Sequence, residues 1–283
     1  MACISIPNYL RLILHGFTTT QTPNRPPYIA IFYILYKNSH SKISLTKARL
    51  TSIMKEKRGK HMDKLDSIIE KLQNKVETYF SKDTSGHSTD HLTRTLHYAM
   101  YLQSKEGGDR LVIGISAYIH DIHRIMGMEK GTFVSPKDSL GVVSEFIANL
   151  DITEEQKEHI LYAIEHHEEY NFGLGGVKVT DIESKILQDA DNLDAIGAMG
   201  LLRTFKYGIA HNLLEYDPKT PLYRTEYEEC SNDASTIHHI YNKLLRLGDY
   251  MNTDTAKALA KEKTKLMEDF LKMYIAEYNG DFE

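Results

Sequence analysis

The chain has 283 residues, 41% hydrophobic and 26% charged, with two cysteines, Cys3 and Cys230. That supplies apolar material for a core in one large domain or two small ones, and it excludes a disulfide scaffold and a cysteine-rich zinc module. Residues 1–61 carry ten Lys/Arg and one acid, while the remainder carries 24 Lys/Arg and 38 acids; so acidic a body argues against binding a nucleic-acid polymer, which needs cationic surface.

An acidic body does not exclude a phosphorylated small molecule, because a metal ion can supply local positive charge. Two cysteines fit a reducing compartment, so the cytoplasm is the expected location. No apolar run reaches the ~18 residues of a membrane helix, and Tyr28 to Tyr36 is too short.

Residues 1–61 do not read like the rest. Thr18 to Pro27 is Thr/Pro-rich, and Ser39 to Lys60 is polar and basic. A targeting segment and an interfacial anchor are two readings. A third is favoured. Lys55-Glu56-Lys57-Arg58-Gly59-Lys60 can be encoded by a purine-only stretch like a bacterial ribosome-binding site, and it lies just before Met62. The expectation is an extension over 1–61, disordered or not natively translated, with Met62 as the true start and one domain over 62–283.

From Met62 the pattern is helical. Leu65, Ile68, Ile69, Leu72, Val76 and Tyr79 recur at three-to-four-residue spacing, which predicts a helix over 63–80. A second helix is predicted over 88–105, with Leu92, Leu96, Ala99, Met100 and Gln103 near one stripe. Arg110 to His120 is apolar nearly all round, the pattern of a buried central helix. Gly127 to Pro136 reads as a loop. Helices follow over 137–150 and over 153–170, the latter with a Thr N-cap. Asn171 to Val179 is a Gly-rich loop, and Asp181 to Ala210 forms one or two helices. Tyr216 to Asn232 is irregular, and helices over 234–250 and 254–278 close the chain. No strand pattern appears, so the predicted fold class is all-α.

Polar groups interrupt this apolar background at three places. His91 and Arg94 share a face at i,i+3. Imidazole can ligate a metal, and guanidinium can hold a phosphate oxygen; a surface His and Arg on an amphipathic helix is the plainer reading. His120 and Asp121 end the apolar helix. Adjacent residues diverge by ~100° on a helix, so both reach one ion only if the helix stops there. His123 adds an imidazole and Arg124 a fixed positive charge. His166 and His167 are adjacent, so at most one is expected to line a site. Asp191 and Asp194 share a face in an apolar stretch, with Asp189 turned away. Like charges on a buried face need a cation or protonation. Together the patches point to one buried metal site. Two His and two Asp suit one divalent ion such as Mn, Mg, Co, Fe or Zn. Water acidified by such an ion is a nucleophile.

The order His, His-Asp, Asp resembles the HD-domain superfamily of metal-dependent phosphohydrolases, and more closely its compact single-domain bacterial members, some of which are nucleotide pyrophosphohydrolases. The resemblance rests on Gly86-His87-Ser88-Thr89-Asp90-His91-Leu92-Thr93-Arg94, on Ala117-Tyr118-Ile119-His120-Asp121-Ile122, and on Gln188-Asp189-Ala190-Asp191-Asn192-Leu193-Asp194-Ala195 followed by Arg203-Thr204-Phe205. It covers about residues 62–280. It implies His91, His120, Asp121 and Asp191 as metal ligands. It sets Asp121, His123 and Asp194 among the catalytic groups, and Arg94, Arg124, His167 and Arg203 near the substrate. Two positions depart from the pattern: Ser88 stands where an Asp is common, and His123 where an acid is common. The implied activity is metal-dependent hydrolysis of a nucleotide or related phosphate ester or anhydride. Hydrolysis of a guanosine polyphosphate signal or a nucleoside monophosphate stays open, as do a noncatalytic nucleotide sensor and a homodimer.

Overall fold

The computed structural model describes residues 63–282, apart from 82, 84–86, 169–177 and 223–233. The extension over 1–61, the expected start at Met62, and most of the Gly-rich and Tyr/Glu-bearing loops lie outside the described residues. Among the described residues there is no strand, so the all-α expectation holds. No helix among them is long and apolar enough to cross a membrane.

Helix α1 (Lys64–Phe80) is capped by the Asp63 side chain, which accepts from Leu65 N, and it buries Leu65, Ile68, Leu72, Val76 and Phe80. Those residues form one stripe at helical spacing. Helix α2 (Thr89–Glu106) follows, then α3 (Arg110–Ile119), whose N-cap Asp109 accepts from the N–H groups of Leu111 and Val112. Every residue of α3 from Val112 to Ile119 is buried. Helices α1 and α2 pack on it, and Gly114 lets α1 approach closely. A Cβ there would sit 2.6 Å from Leu65 Cδ2.

Helix α4 (Ile122–Lys130) corrects the expected loop from Gly127 to Pro136. Gly127 does not break the helix. It faces the Thr132 carbonyl, 3.0 Å from where a Cβ would stand, so the position needs a small residue. The stop is Gly131, at φ 66°, whose N–H meets the Gly127 and Met128 carbonyls. A short 3-10 turn (Lys137–Ser139) leads into α5 (Leu140–Ile147). Helix α6 (Glu154–His166) starts with a full capping box between Thr153 and Gln156.

Helices α7 (Ile182–Ala195) and α8 (Gly197–Ala210) resolve the region read as one or two helices. They are separated at extended Ile196 and at Gly197, φ 77°, a left-handed conformation that favours glycine. The helix expected over 234–250 is segmented into α9 (Thr236–His239), a π turn (Ile240–Leu244), α10 (Leu245–Leu247) and a 3-10 turn (Gly248–Tyr250). Helix α11 (Asp254–Asn279) closes the chain and packs on α8.

Helix α7 lies along α2 and against α3, so three site-bearing helices share one core. The buried stripe of α2 is His91, Leu92, Thr95, Ala99 and Leu102. It is rotated from the expected one, because two polar residues point inward with the apolar ones. Asp189 faces the other way from that site, as expected. It is fully buried and accepts from Asn252 N at 2.7 Å, Thr253 N at 2.8 Å and Thr253 Oγ1 at 2.7 Å. Asp189→Ala leaves those donors without an acceptor, so it should destabilise the protein by about 3 kcal/mol. Urea unfolding measures this, and a change under ~0.5 kcal/mol would contradict it.

Candidate metal centre

The junction of α3 and α4 places the central pair. Helix α3 ends at Ile119; His120 keeps helical dihedrals, and Asp121 departs to φ −88°, ψ 17°. That departure turns the Asp121 carboxylate back toward the His120 ring. His120 Nε2 and Asp121 Oδ2 stand 3.5 Å apart, and both residues are buried. The break needed for adjacent residues to meet is therefore present.

Helix α2 adds His91, and helix α7 adds Asp191. His91 Nε2 lies 3.3 Å from His120 Nε2, 3.1 Å from Asp121 Oδ2 and 3.4 Å from Asp191 Oδ1. His120 Nε2 lies 3.7 Å from Asp191 Oδ1. The outer ring nitrogens fix the tautomers. His120 Nδ1 is 3.1 Å from the Ala117 carbonyl, which can only accept, so Nδ1 donates. His91 Nδ1 donates to Asp194 Oδ2 at 2.8 Å. In the neutral rings both Nε2 atoms then present lone pairs toward carboxylate oxygens. Acceptors facing acceptors at this distance need either a cation between them or a proton on a ring. Neighbouring donors bound to one ion at ~2.1 Å stand about 3 Å apart in an octahedral shell, close to the separations here. The four groups fit one divalent ion.

Charge at the centre follows the same logic. Burial pushes the His91 imidazole down, but the carboxylates of Asp121, Asp191 and Asp194 pull it up to about 10. Burial works against Asp121 and Asp191 as well, yet the histidines hold both well below the ordinary carboxylate range. Without metal, His91 thus holds a proton that the unfolded chain releases near 6.5. Its stabilisation is complete below that value and is lost as pH rises through about 10. Metal-stripped protein in chelator should show a Tm that falls between pH 6.5 and pH 10; a flat or rising profile would contradict this.

A second layer supports the first. Asp194, 1% exposed, takes Arg94 Nε at 2.7 Å, Arg94 Nη2 at 2.9 Å and Arg203 Nη1 at 2.7 Å, besides the His91 ring. Burial raises the Asp194 carboxyl, and His91, Arg94 and Arg203 bring it down to about 2. His87 Nδ1 meets Asp121 Oδ2 at 2.6 Å. Such outer contacts orient ligands and set their basicity.

Beside the centre lies a further group. His123 Nε2 stands 3.3 Å from Glu168 Oε1, and Arg124 pairs with the same carboxylate. Burial pushes Glu168 up, but His123, His167 and Arg124 lower it to about 2. His167 caps the end of α6, with Nδ1 donating to the Ile164 carbonyl at 2.6 Å. Burial lowers the His167 imidazole to about 4. His166 turns away to pack on Tyr162, so one of the two adjacent histidines faces the site, as expected.

The structure thus brings His91, Arg94, His120, Asp121, His123, Arg124, His167, Asp191, Asp194 and Arg203 into one neighbourhood. Sequence reasoning assigned no role to His87 or Glu168. His87 stands four positions before His91, a helical spacing that could have marked it, although it precedes α2 by two residues. Glu168 follows His167 past the end of α6, where periodicity carries no information.

The HD domain family matches residues 89–196, which run from the start of α2 to the end of α7. YpgQ of Bacillus subtilis (strain 168) is 28% identical over 203 residues, covering 72% of this chain and 90% of that protein. The crystal structure of YpgQ in complex with ADP superposes with a TM-score of 0.56 at 26% identity, over 76% of this chain and 97% of that one. The structure of an HD-superfamily hydrolase from Bacillus thuringiensis is 33% identical, with a TM-score of 0.58, over 77% of this chain and 99% of that one. Identity at that level across nearly the whole of the Bacillus thuringiensis protein, with the family match falling on the helices that carry the His and Asp cluster, means that the chain belongs to the HD superfamily.

Proposed function

We propose that the protein is a divalent-metal-dependent phosphohydrolase acting on a nucleotide. The observation that carries this reading is the meeting of His91, His120, Asp121 and Asp191 at ligand spacing, with three arginines around it. His91, His120, Asp121 and Asp191 would hold the ion. A bound divalent ion acidifies water and offsets charge on phosphoryl oxygens. Arg94 has one terminal nitrogen not engaged by Asp194, available to a phosphoryl oxygen. Arg124, 35% exposed, pairs with Glu168 beside the centre and adds fixed positive charge there. Charge developing on the transferred group is offset by these two side chains. His123 stands 3.3 Å from Glu168, which holds its ring in place beside the site. Asp194, held by two guanidinium groups and the His91 ring, acts as a positioning residue rather than as a proton carrier. A nucleotide as substrate is favoured by the ADP complex of YpgQ, a protein similar over three-quarters of this chain.

The test is a panel of nucleoside triphosphates, diphosphates and monophosphates with Mn, Mg and Co. Metal-dependent release of orthophosphate or pyrophosphate is the expected result, and the product identifies the bond cleaved. Nucleotide binding without turnover under any of these metals would leave the sensor reading in its place.

A further inference from the structure

Away from the centre, His159 of α6 meets the start of α7. Its Nε2 stands 3.0 Å from Asp181 Oδ1 and 3.6 Å from Glu183 Oε2. Each of the three residues offers a ligand atom, and these atoms lie within 4.8 Å of one another. Backbone N–H groups orient both carboxylates. Asp181 Oδ1 accepts from Ser184 N at 2.8 Å, and Glu183 Oε1 accepts from Asp109 N at 2.8 Å, which leaves Oε2 on the side of the ring. Asp109 adds a third carboxylate, held by Gln156 Nε2 at 2.8 Å. Among the described residues, no Lys or Arg pairs with Asp109, Asp181 or Glu183. Helix capping accounts for Asp181 alone, since a carboxylate at a helix start is favoured by the dipole. An ion pair with a protonated ring accounts for His159 facing carboxylates. Neither accounts for Ser184 Oγ, which is fully buried and makes no hydrogen bond. Burial pushes the Asp181 carboxyl up, and His159 together with the N–H and hydroxyl of Ser184 brings it below its ordinary value. The hydroxyl is thus turned toward the Asp181 carboxylate without closing a bond to it, and it leaves an unpartnered oxygen at the cluster.

We infer that His159, Asp181 and Glu183 bind a zinc ion that ties α6 to the start of α7. One nitrogen and two oxygens suit zinc, with water in the fourth position. Donors bound to one zinc ion at ~2.0–2.1 Å stand about 3.3 Å apart in a tetrahedral shell. That value falls between the 3.0 Å and 3.6 Å separations at His159 Nε2. The side chains of His159, Asp181 and Glu183 are 31%, 24% and 12% exposed, so an ion can enter from solvent and keep a water. Its charge offsets carboxylates that a single imidazole cannot match. Glu183 precedes Asp191 by two turns of α7, about 12 Å along the axis at 1.5 Å per residue, so this ion is not shared with the first centre. The inference concerns binding at a place remote from the proposed chemistry, and it stands apart from the identity of any substrate.

The experiment is calorimetric titration of the metal-stripped full chain with Zn(II), in a background where His120→Ala and Asp191→Ala silence the first centre. The silenced chain should still take one equivalent. Adding His159→Ala should weaken that binding at least about tenfold. Glu183→Gln keeps an oxygen to accept from Asp109 N while removing the ligand charge, and it should weaken binding to the same degree. Where the silenced background does not fold, the comparison is made in the otherwise wild-type chain, in which His159→Ala should take one Zn(II) fewer than its parent and leave Mn(II) affinity at the first centre unchanged. A folded, silenced chain that takes no Zn(II) overturns the proposal. Undiminished binding in His159→Ala or in Glu183→Gln overturns it too, as does equal stoichiometry with and without His159→Ala in the wild-type background.

Discussion

His120→Ala lowers divalent-metal affinity by at least about a hundredfold and cuts turnover of the best nucleotide by roughly a thousandfold. The ring is fully buried, and its Nε2 lies within 3.7 Å of His91, Asp121 and Asp191. Alanine removes one of four donors and opens a hole that no neighbouring group fills with another. Asp121 and Asp191 are then left as close carboxylates with fewer nitrogens between them. Their repulsion pushes them apart or makes one take up a proton. Either response spoils the cradle. Calorimetric titration with Mn(II) and a phosphate-release assay check the two parts separately. A variant with wild-type metal affinity would remove His120 from the ligand set, whatever its activity.

Asp194→Asn should act through support rather than ligation. The carboxylate stands between His91 and two arginines and is almost fully buried. An amide has one acceptor oxygen and brings two donors of its own, which face guanidinium groups and an N–H. Breaking such a buried charge cluster costs about 3–5 kcal/mol, and the partial exposure of Arg94 and Arg203 places this case near the lower end. Loss of the Nδ1 partner also frees the His91 ring to rotate or change tautomer. That should reduce metal affinity by about 10–100-fold. A pH signature separates this role from a general loss of packing. The folded pKa of Asp194 is depressed to about 2 from 3.8. Its stabilisation is present above 3.8 and is lost as pH falls through about 2, so the acid limb of the wild-type stability curve should be shallower in Asp194→Asn. Equal acid limbs in the two proteins would contradict the assignment.

Much of this was legible in residue order. The stripe from Leu65 to Val76 gave α1, because one face of that helix meets only core. The near-continuous apolar run from Leu111 to Ile119 gave the central helix, and the polar pair after it marked its end. Spacing at i,i+3 placed His91 beside Arg94 and Asp191 beside Asp194 correctly. What periodicity missed has physical causes. The face of α2 that turns inward carries His91 and Thr95, so a search for apolar residues alone rotates the stripe. Gly127 looked like a breaker, but its lack of a side chain answers a close carbonyl, and Gly131 carries the left-handed turn. His87 and Glu168 lie just outside helices, where no repeat relates them to the residues they meet. Their contacts span 34 and 45 positions, to Asp121 and His123 respectively, and only the packed helices set such distances.

The anchor at Asp189 bears on the order in which the protein can become competent during synthesis. Every proposed ligand of the first centre has been made once Asp191 leaves the ribosome. The helix that carries Asp191 and Asp194 can then pack on α2 and α3, but Asp189 still waits for Asn252 and Thr253, more than sixty positions later. Those two residues also begin α11, the last helix, with Thr253 as its N-cap. A nascent chain therefore holds all four donors before it holds the clasp that keeps one of their helices in place. Competence should therefore come with the docking of the final helix, and a chain interrupted before Thr253 should carry the ligands with Asp189 unsatisfied and bind Mn(II) more weakly than the full chain in a calorimetric titration.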